Sequence, residues 1–360
     1  MNPIIAQTPA PPESIIVNVE RGTSRVAIIG CGYWGPNHVR NFSSLSGSRV
    51  VAAADLDQTR LSRIADNFPH VQLHRDYKQV LADPDIDAVV IATPTSTHYA
   101  IVREALLAGK HVLSEKPLCE HSEQGRELVA LADEHQLVLM VGHVFLFSAA
   151  VEKLKHLIQS QELGKIYYVS SIRTNLGPIR KDVNAAYDLA AHDISILNWL
   201  LDSEPTSISA TGACCLRSGI EDFVFITLRY PDNVYAGVQA SWLNPKKVRN
   251  ITLVGSKKMV TWDDLEMNTP IAIYDRGAMT QQEYNSFGEF LRISMWNGDV
   301  RLPRVEIEEP LKAQSREFLR AIKHGGPDRC SGRFGFGVVR VLEAVRESLQ
   351  MNGAPVEVRN

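Results

Sequence analysis

Short apolar runs alternate with longer amphipathic stretches from Arg25 to about Val141. The runs "RVAIIG", "RVVAAAD", "VQLH", "AVVIATP", "HVLSEKP" and "LVLMVGH" read as strands. Between them, "DQTRLSRIADNF", "HYAIVREALLAG" and "HSEQGRELVALADEHQ" carry apolar residues at helical spacing, with Gly109 where a helix C-cap belongs. This alternation predicts an α/β fold whose first domain is doubly wound around a parallel sheet. Further along, "FVFITLRY", "YAGVQASW", "NITLVGS" and "KMVTWDD" alternate or run apolar between Pro, Asn and Gly, predicting strands of a second sheet. Near the end, "SREFLRAIKHG" and "GFGVVRVLEAVRESLQMNG" read as helices with a glycine stop.

At 360 residues and 44% hydrophobic, the chain can fill two cores. We divide it into a Pro-rich tail (1–23), a nucleotide-binding domain (24–145) and a second domain (146–360). Lys plus Arg number 38 against 41 for Asp plus Glu, a net charge of -3, so no general field favours nucleic acid or an anionic membrane. Cys31, Cys119, Cys214, Cys215 and Cys330 form no CxxC pair, which fits a reduced cytoplasmic protein without a metal site. The first residues have no basic n-region and no long apolar run, so neither a signal peptide nor a membrane anchor is expected. The tail reads as mobile or as an arm reaching another subunit.

The stretch "VAIIGCGYWGPNH" ends a strand with Gly30, Gly32 and Gly35 and continues with Pro36, which suits the first turn of a helix. Any cramped strand-to-helix turn would select such glycines for steric reasons. Its place in the sheet adds a second meaning, because the free N–H groups of that helix start face a phosphate. Asp55 closes the second strand 20 residues after Gly35, where a carboxylate accepts from both ribose hydroxyls of a dinucleotide and repels a 2′-phosphate. This favours NAD over NADP; the structural alternative for Asp55 is a solvated turn acid.

Three further stretches narrow the reading: "ATPTSTH" (92–98), "SEKPL" (114–118) and "YDLAAHDISIL" (187–197). Together with "GCGYWG", in this order and spacing, they resemble the Gfo/Idh/MocA oxidoreductase family, named for glucose-fructose oxidoreductase and inositol dehydrogenase. The resemblance spans nearly everything after the tail. It implies an N-terminal Rossmann domain and a C-terminal α/β domain on a large, open, mainly antiparallel sheet used for substrate binding and for homo-oligomerisation. It also implies that Gly30, Gly32, Tyr33, Trp34, Gly35, Asp55, Thr93, Pro94, His98, Glu115 and Lys116 hold the NAD cofactor.

Lys116 follows a strand and precedes Pro117, at the carboxyl edge where open α/β sheets bind ligands. The resemblance places it beside the nicotinamide and the reacting hydroxyl, where an ammonium can donate to a developing alkoxide. Asp188 and His192 are four residues apart, so on a helix they share a face. Oxidising a secondary alcohol needs a base for the hydroxyl proton, and an imidazole titrates near working pH. We assign His192 as base, Lys116 to the oxyanion and Asp188 to orienting the substrate or the imidazole. Lys116 as base is the reverse assignment, and an N-cap aspartate beside a packed histidine is the structural alternative. Asp188, His192 and Asp193 are not read as a metal cluster, for no second ligand group accompanies them.

For the substrate, Gly142 is followed by His143, Val144 and Phe145 rather than by the Asn and Arg of simple-sugar members. That departure points away from inositol and toward the branch acting at C3 of nucleotide-linked amino sugars, of the UDP-N-acetylglucosamine type, whose keto product feeds an aminotransferase. Arg173, Asn175, Arg180, Lys181 and Asn184 precede Asp188. Guanidinium groups pair with a diphosphate and amides with sugar hydroxyls. Arg173, Asn175 and His143 are assigned to the sugar pocket, Asn184 to the substrate, and Arg180 and Lys181 to the diphosphate; a solvated basic turn is the alternative for Arg180 and Lys181. A free sugar, glycoside or inositol dehydrogenase, and a non-catalytic NAD-binding regulator, stand as other readings.

Overall fold

The computed structural model describes residues 22–177, 179–180, 182–279, 294–306, 308–327 and 329–359. Most of the expected tail, residues 1–21, and Lys181 lie outside the described residues.

The first unit alternates as the sequence pattern predicts. Strands β1 (Ser24–Ile29), β2 (Ser48–Ala54), β3 (Gln72–His74), β4 (Ala88–Ile91), β5 (His111–Glu115) and β6 (Leu139–Gly142) are connected through α1 (Gly35–Ser43), α2 (Gln58–Asn67), α3 (Tyr77–Ala82), α4 (Thr95–Leu107) and α5 (Ser122–Glu134). All strand pairs are parallel, in the order β3-β2-β1-β4-β5-β6. This is the Rossmann arrangement, and the order reverses between β1 and β4. Every residue of β4 is buried, which is why that strand reads as an unbroken apolar run. Gly109, at φ +72°, ends the α4 connection as a left-handed C-cap.

The second unit continues through α6 (Ala149–Gln159) and β7 (Ile166–Leu176), then a π-helical turn (Ala186–Ala190) that runs into α7 (Ala191–Leu200). Strands β8 (Ser207–Ala213), β9 (Phe223–Arg229), β10 (Tyr235–Ser241), β11 (Leu243–Gly255), β12 (Met259–Asp263), β13 (Ile271–Met279) and β14 (Ser294–Arg301) follow. Helices α8 (Pro310–His324) and α9 (Gly332–Gln350) and the short β15 (Val356–Glu357) complete the described chain. Among the described residues the nine strands form one sheet, β14-β13-β12-β11-β7-β10-β9-β8-β15, antiparallel except where β7 meets β10. Leu154, Leu197 and Val341 of α6, α7 and α9 pack with Val169, Ile226, Val238 and Ile251 of the sheet. Tyr168, Phe225 and Tyr235 are exposed large apolar residues of the same strands.

The central strand β7 was not among the strands read from pattern. Its buried positions include Ser171 and Arg173, so the apolar alternation that announces a strand is broken where the strand serves the site. The C-terminal helices return to the first sheet. Phe318 of α8 meets Phe42 of α1 edge-on at 6.3 Å. The Val141 N–H donates to Cys330 O at 2.8 Å, and a Cβ on Gly335 of α9 would come within 2.4 Å of the Val141 side chain.

Candidate active site

The three glycines of the turn after β1 serve different ends. A Cβ on Gly30, which has φ +95°, would lie 2.6 Å from Ala92 O, and one on Gly35 would lie 2.2 Å from Gly30 O. Both are demanded by the fold itself. A Cβ on Gly32 would meet nothing nearer than the Arg60 guanidinium at 3.9 Å. Its open approach is the cradle that a pyrophosphate needs and a side chain would fill. Pro36 occupies the first turn of α1, and the Trp34 cap makes no side-chain hydrogen bond, so that helix start keeps donors available for an anion. Tyr33 and Trp34 stand edge to face at 5.3 Å beside it, both exposed.

Asp55 sits at the carboxyl end of β2 with its side chain 8% exposed, accepting from the backbone N–H groups of Cys31 (2.7 Å) and Asp57 (2.8 Å). These bonds fix the carboxylate against the glycine turn and leave lone pairs for ribose hydroxyls. Arg60 lies 3.6 Å from it, a neighbour that sequence reading did not single out. The residues thus fit the adenosine half of a dinucleotide. After β4, Thr93 accepts from the Thr97 hydroxyl at 2.8 Å and Pro94 caps α4. Glu115, at the end of β5, faces the buried His38 at 2.9 Å.

Lys116 and the π-helical turn meet across the two units. The Lys116 ammonium, 9% exposed, donates to Asp188 O at 2.6 Å and lies 3.6 Å from Asp188 Oδ1. Burial pushes this ammonium below the usual lysine range, with the Asp188 charge pulling the other way. The Asp188 carboxylate also accepts from Trp242 Nε1 at 3.0 Å and from Arg180 Nη1 at 3.4 Å. Because the turn is π-helical, with one residue more than an α-turn, Asp188 and His192 do not stack as a simple i, i+4 pair. His192 instead packs edge-on against Phe145 at 4.9 Å, and its Nδ1 is buried without a partner. Burial, then Lys116 and Arg173, hold that imidazole well below its ordinary range, so it is neutral near pH 7. A neutral imidazole and a desolvated ammonium together can take a hydroxyl proton and steady the oxygen it leaves.

On the substrate side, His143 is buried with neither ring nitrogen partnered, and burial followed by Lys116 pushes it down to about 3. Arg173 is also buried; its Nε and Nη2 bind Asp193 at 2.7 and 3.2 Å while Nη1 has no partner. Arg180 forks onto Asp182 and reaches Asp188, so its charge is already balanced by two carboxylates. Asn184 donates to Glu221 at 2.8 Å and accepts from the Tyr187 N–H, which makes it a brace of the turn before Asp188. Asn175 is half-buried on β7.

Sequence reading singled out neither Trp242 nor Arg249, and it named Asp193 only to set aside a metal, not as the partner of Arg173. Arg249 stands directly opposite Arg173 in the β7–β11 register, a like-charge pairing that strands ordinarily avoid. Both guanidinium groups lie over the Phe145 ring, at 4.4 and 5.7 Å, and Asp264 balances Arg249 at 3.2 Å. This local conflict lies on the same Phe145 ring that His192 packs against, and such conflicts are expected at functional or strained sites.

Among the described residues no group of three His, Cys, Asp or Glu side chains is placed to hold a metal. No described helix is long and apolar enough to cross a membrane.

Comparison with known proteins bears on the fold and the family. Residues 24–143 match a model described as an oxidoreductase family with an NAD-binding Rossmann fold, and residues 151–261 match the GFO/IDH/MocA C-terminal domain. The UDP-N-acetylglucosamine 3-dehydrogenase of Acidithiobacillus ferrooxidans is 27% identical over 91% of this chain and 97% of its own. A crystal structure of that enzyme superposes with a TM-score of 0.78 at 25% identity, covering 91% of this chain and 98% of the other. A solved protein from Magnetospirillum magnetotacticum MS-1 is 30% identical, with a TM-score of 0.76, over 89% of this chain and 99% of its own. The NAD-dependent scyllo-inositol 2-dehydrogenase of Bacillus subtilis is 33% identical over 52% of this chain and 57% of its own. The two matched domains, which together take in residues 24–143 and 151–261, make this chain a member of the Gfo/Idh/MocA family of NAD-dependent oxidoreductases.

Proposed function

We propose that the protein oxidises a secondary hydroxyl of a sugar or polyol, and that its substrate is a UDP-linked N-acetylamino sugar converted at C3 to the keto sugar. The observation that carries the chemistry is the meeting of the desolvated Lys116 with the Asp188 turn at the carboxyl edge of the first sheet. NAD, when bound, supplies the hydride acceptor. His192, neutral through burial, takes the hydroxyl proton; Lys116 donates to the oxygen as negative charge develops on it. Asp188, held by Trp242 and Arg180, fixes the ammonium rather than the imidazole. Gly30, Gly32, Gly35 and Asp55 hold the cofactor, and Arg173, Asn175 and His143 line the sugar side, with Arg249 added to them.

The nucleotide-sugar reading draws on the near full-length similarity to the UDP-N-acetylglucosamine 3-dehydrogenase. A free polyol or inositol is the second reading, favoured by the scyllo-inositol dehydrogenase match and by the two carboxylates that already balance Arg180. With the first reading, an aminotransferase consumes the keto product. The exposed Tyr168, Phe225 and Tyr235 on the open sheet face take a second copy of the chain. The deciding experiment mixes excess enzyme with NAD and a panel of UDP-sugars, free sugars and inositols and follows NADH absorbance in a single turnover. NADH with UDP-N-acetylglucosamine or a near relative alone is expected. NADH with a free sugar or inositol alone moves the function to the second reading.

A further inference from the structure

Lys116 is placed by its own turn as well as by Asp188. His98, in the first turn of α4, is 1% exposed, and both its ring nitrogens face backbone carbonyls. Nδ1 lies 2.8 Å from Pro117 O, and Nε2 lies 2.9 Å from Thr93 O. The two carbonyls belong to different turns, one after β5 and one after β4, which meet at the carboxyl edge of the sheet. A carbonyl only accepts, so a neutral imidazole with a single N–H bonds one of them at a time, and the buried ring shares itself between the two. With both nitrogens engaged, no polar edge of His98 is left for a ligand. Its inclusion among the cofactor contacts therefore gives way to an indirect role.

We propose that His98 is a positioning residue for Lys116, locking the Lys116–Pro117 turn to the Thr93–Pro94 turn so that ammonium and cofactor cradle keep one geometry. The proposal rests on the reading of Lys116 as the group beside the reacting hydroxyl. A second buried histidine works alongside it: His38 on α1 joins the glycine-turn helix to Glu115, the residue before Lys116, at 2.9 Å. His98 is the one bonded to the turn that follows the lysine. Misplacing a reacting group by roughly 1 Å lowers rates by about 10²-fold, so a small loosening of this tie is readable in turnover.

The test compares His98→Phe, which fills the space and bonds neither turn, with His98→Gln, which keeps a side-chain N–H donor. In the full chain, the pH dependence of Lys116 labelling by trinitrobenzenesulfonate, followed on its own peptide by mass spectrometry, reports the lysine without any substrate. The wild-type midpoint is expected below the ordinary lysine range, and His98→Phe is expected to raise it as water reaches the ammonium, with His98→Gln between. With the substrate found in the panel, kcat should fall at least tenfold at nearly constant KM, and the primary deuterium isotope effect on kcat should grow. A folded His98→Phe protein that keeps the wild-type midpoint overturns the proposal. If that variant does not fold, an unshifted midpoint in His98→Gln overturns it equally. A wild-type Lys116 that titrates like an ordinary lysine would instead overturn the reading of Lys116 beneath it.

Discussion

The cofactor end and the substrate end of this site are built by opposite means. At the cofactor end, a single stretch from Gly30 to Pro36 shapes the cradle through its own backbone, and Asp55 is pinned to it by the Cys31 N–H. At the substrate end, Phe145, Arg173, Asp188, His192, Trp242 and Arg249 come from five separate stretches of the chain and are held by one another's charges and rings. Local geometry is legible as a motif; a wall assembled by sheet register is not. The comparison teaches where change is tolerated: the cradle fails by intrusion, the wall by loss of a partner.

The largest expected effect lies where the two ends meet. Lys116→Met should lower turnover roughly 10³-fold, the scale of removing an oxyanion donor, while NAD affinity by calorimetry stays within about twofold. Loss of both together would dissolve the distinction between the ends. Next, Arg173→Met leaves the buried Asp193 charge unpaired and should destabilise the fold by about 3–5 kcal/mol in denaturant titration. Arg249→Met, on the same ring but in a part-exposed pair with Asp264, should cost under about 1 kcal/mol and show itself in KM. Equal losses of stability would mean that the opposed arginines have the same structural duty.

A third pair of variants divides the cradle itself. Gly32→Val should weaken NAD binding by roughly a hundredfold, about 2.7 kcal/mol, at an unchanged Tm, because its side chain enters open space that the ligand uses. Gly35→Ala should lower Tm instead, since its Cβ would collide with Gly30 O. The last effect is one of pH. His143 stays neutral in the fold down to about 3 but accepts a proton near 6.5 once unfolded. Below 6.5 the unfolded chain therefore binds the extra proton, and stability contributed by neutral His143 is lost as pH falls toward 3. Calorimetric scans should show Tm dropping over that window, less steeply in His143→Leu; parallel curves would remove His143 from the account.

The legible part of the molecule follows from the same contrast. The Rossmann strands could be read because parallel strands buried on both faces are continuous apolar runs, as in "AVVI" of β4. Gly30, Gly32, Gly35 and Asp55 could be read because their spacing is fixed by one βαβ unit. Lys116, Asp188 and His192 were found through family resemblance, and the structure brings the first two within bonding distance. Strand β7 escaped because Ser171 and Arg173 occupy its inward positions. Arg249 escaped because only the antiparallel register of β11 on β7 sets it opposite Arg173. Trp242 looked like a strand residue, but it is the bend between β10 and β11, and its indole N–H holds Asp188.

Helix α9 seals the edge of the parallel sheet through close glycine contacts, Gly332 against Leu139 and Gly335 against Val141. A chain emerging from the ribosome thus finishes all six strands of that sheet long before the helix that covers β6 has been made. Until then Leu139 and Val141 share their cluster with Leu128 and Ala132 of α5 but lack the contacts of Gly332, Gly335 and Val339, and the nascent first domain leaves part of β6 uncovered. Synthesis order and native packing are at odds here, for β6 is completed by a helix that begins 190 residues after it ends.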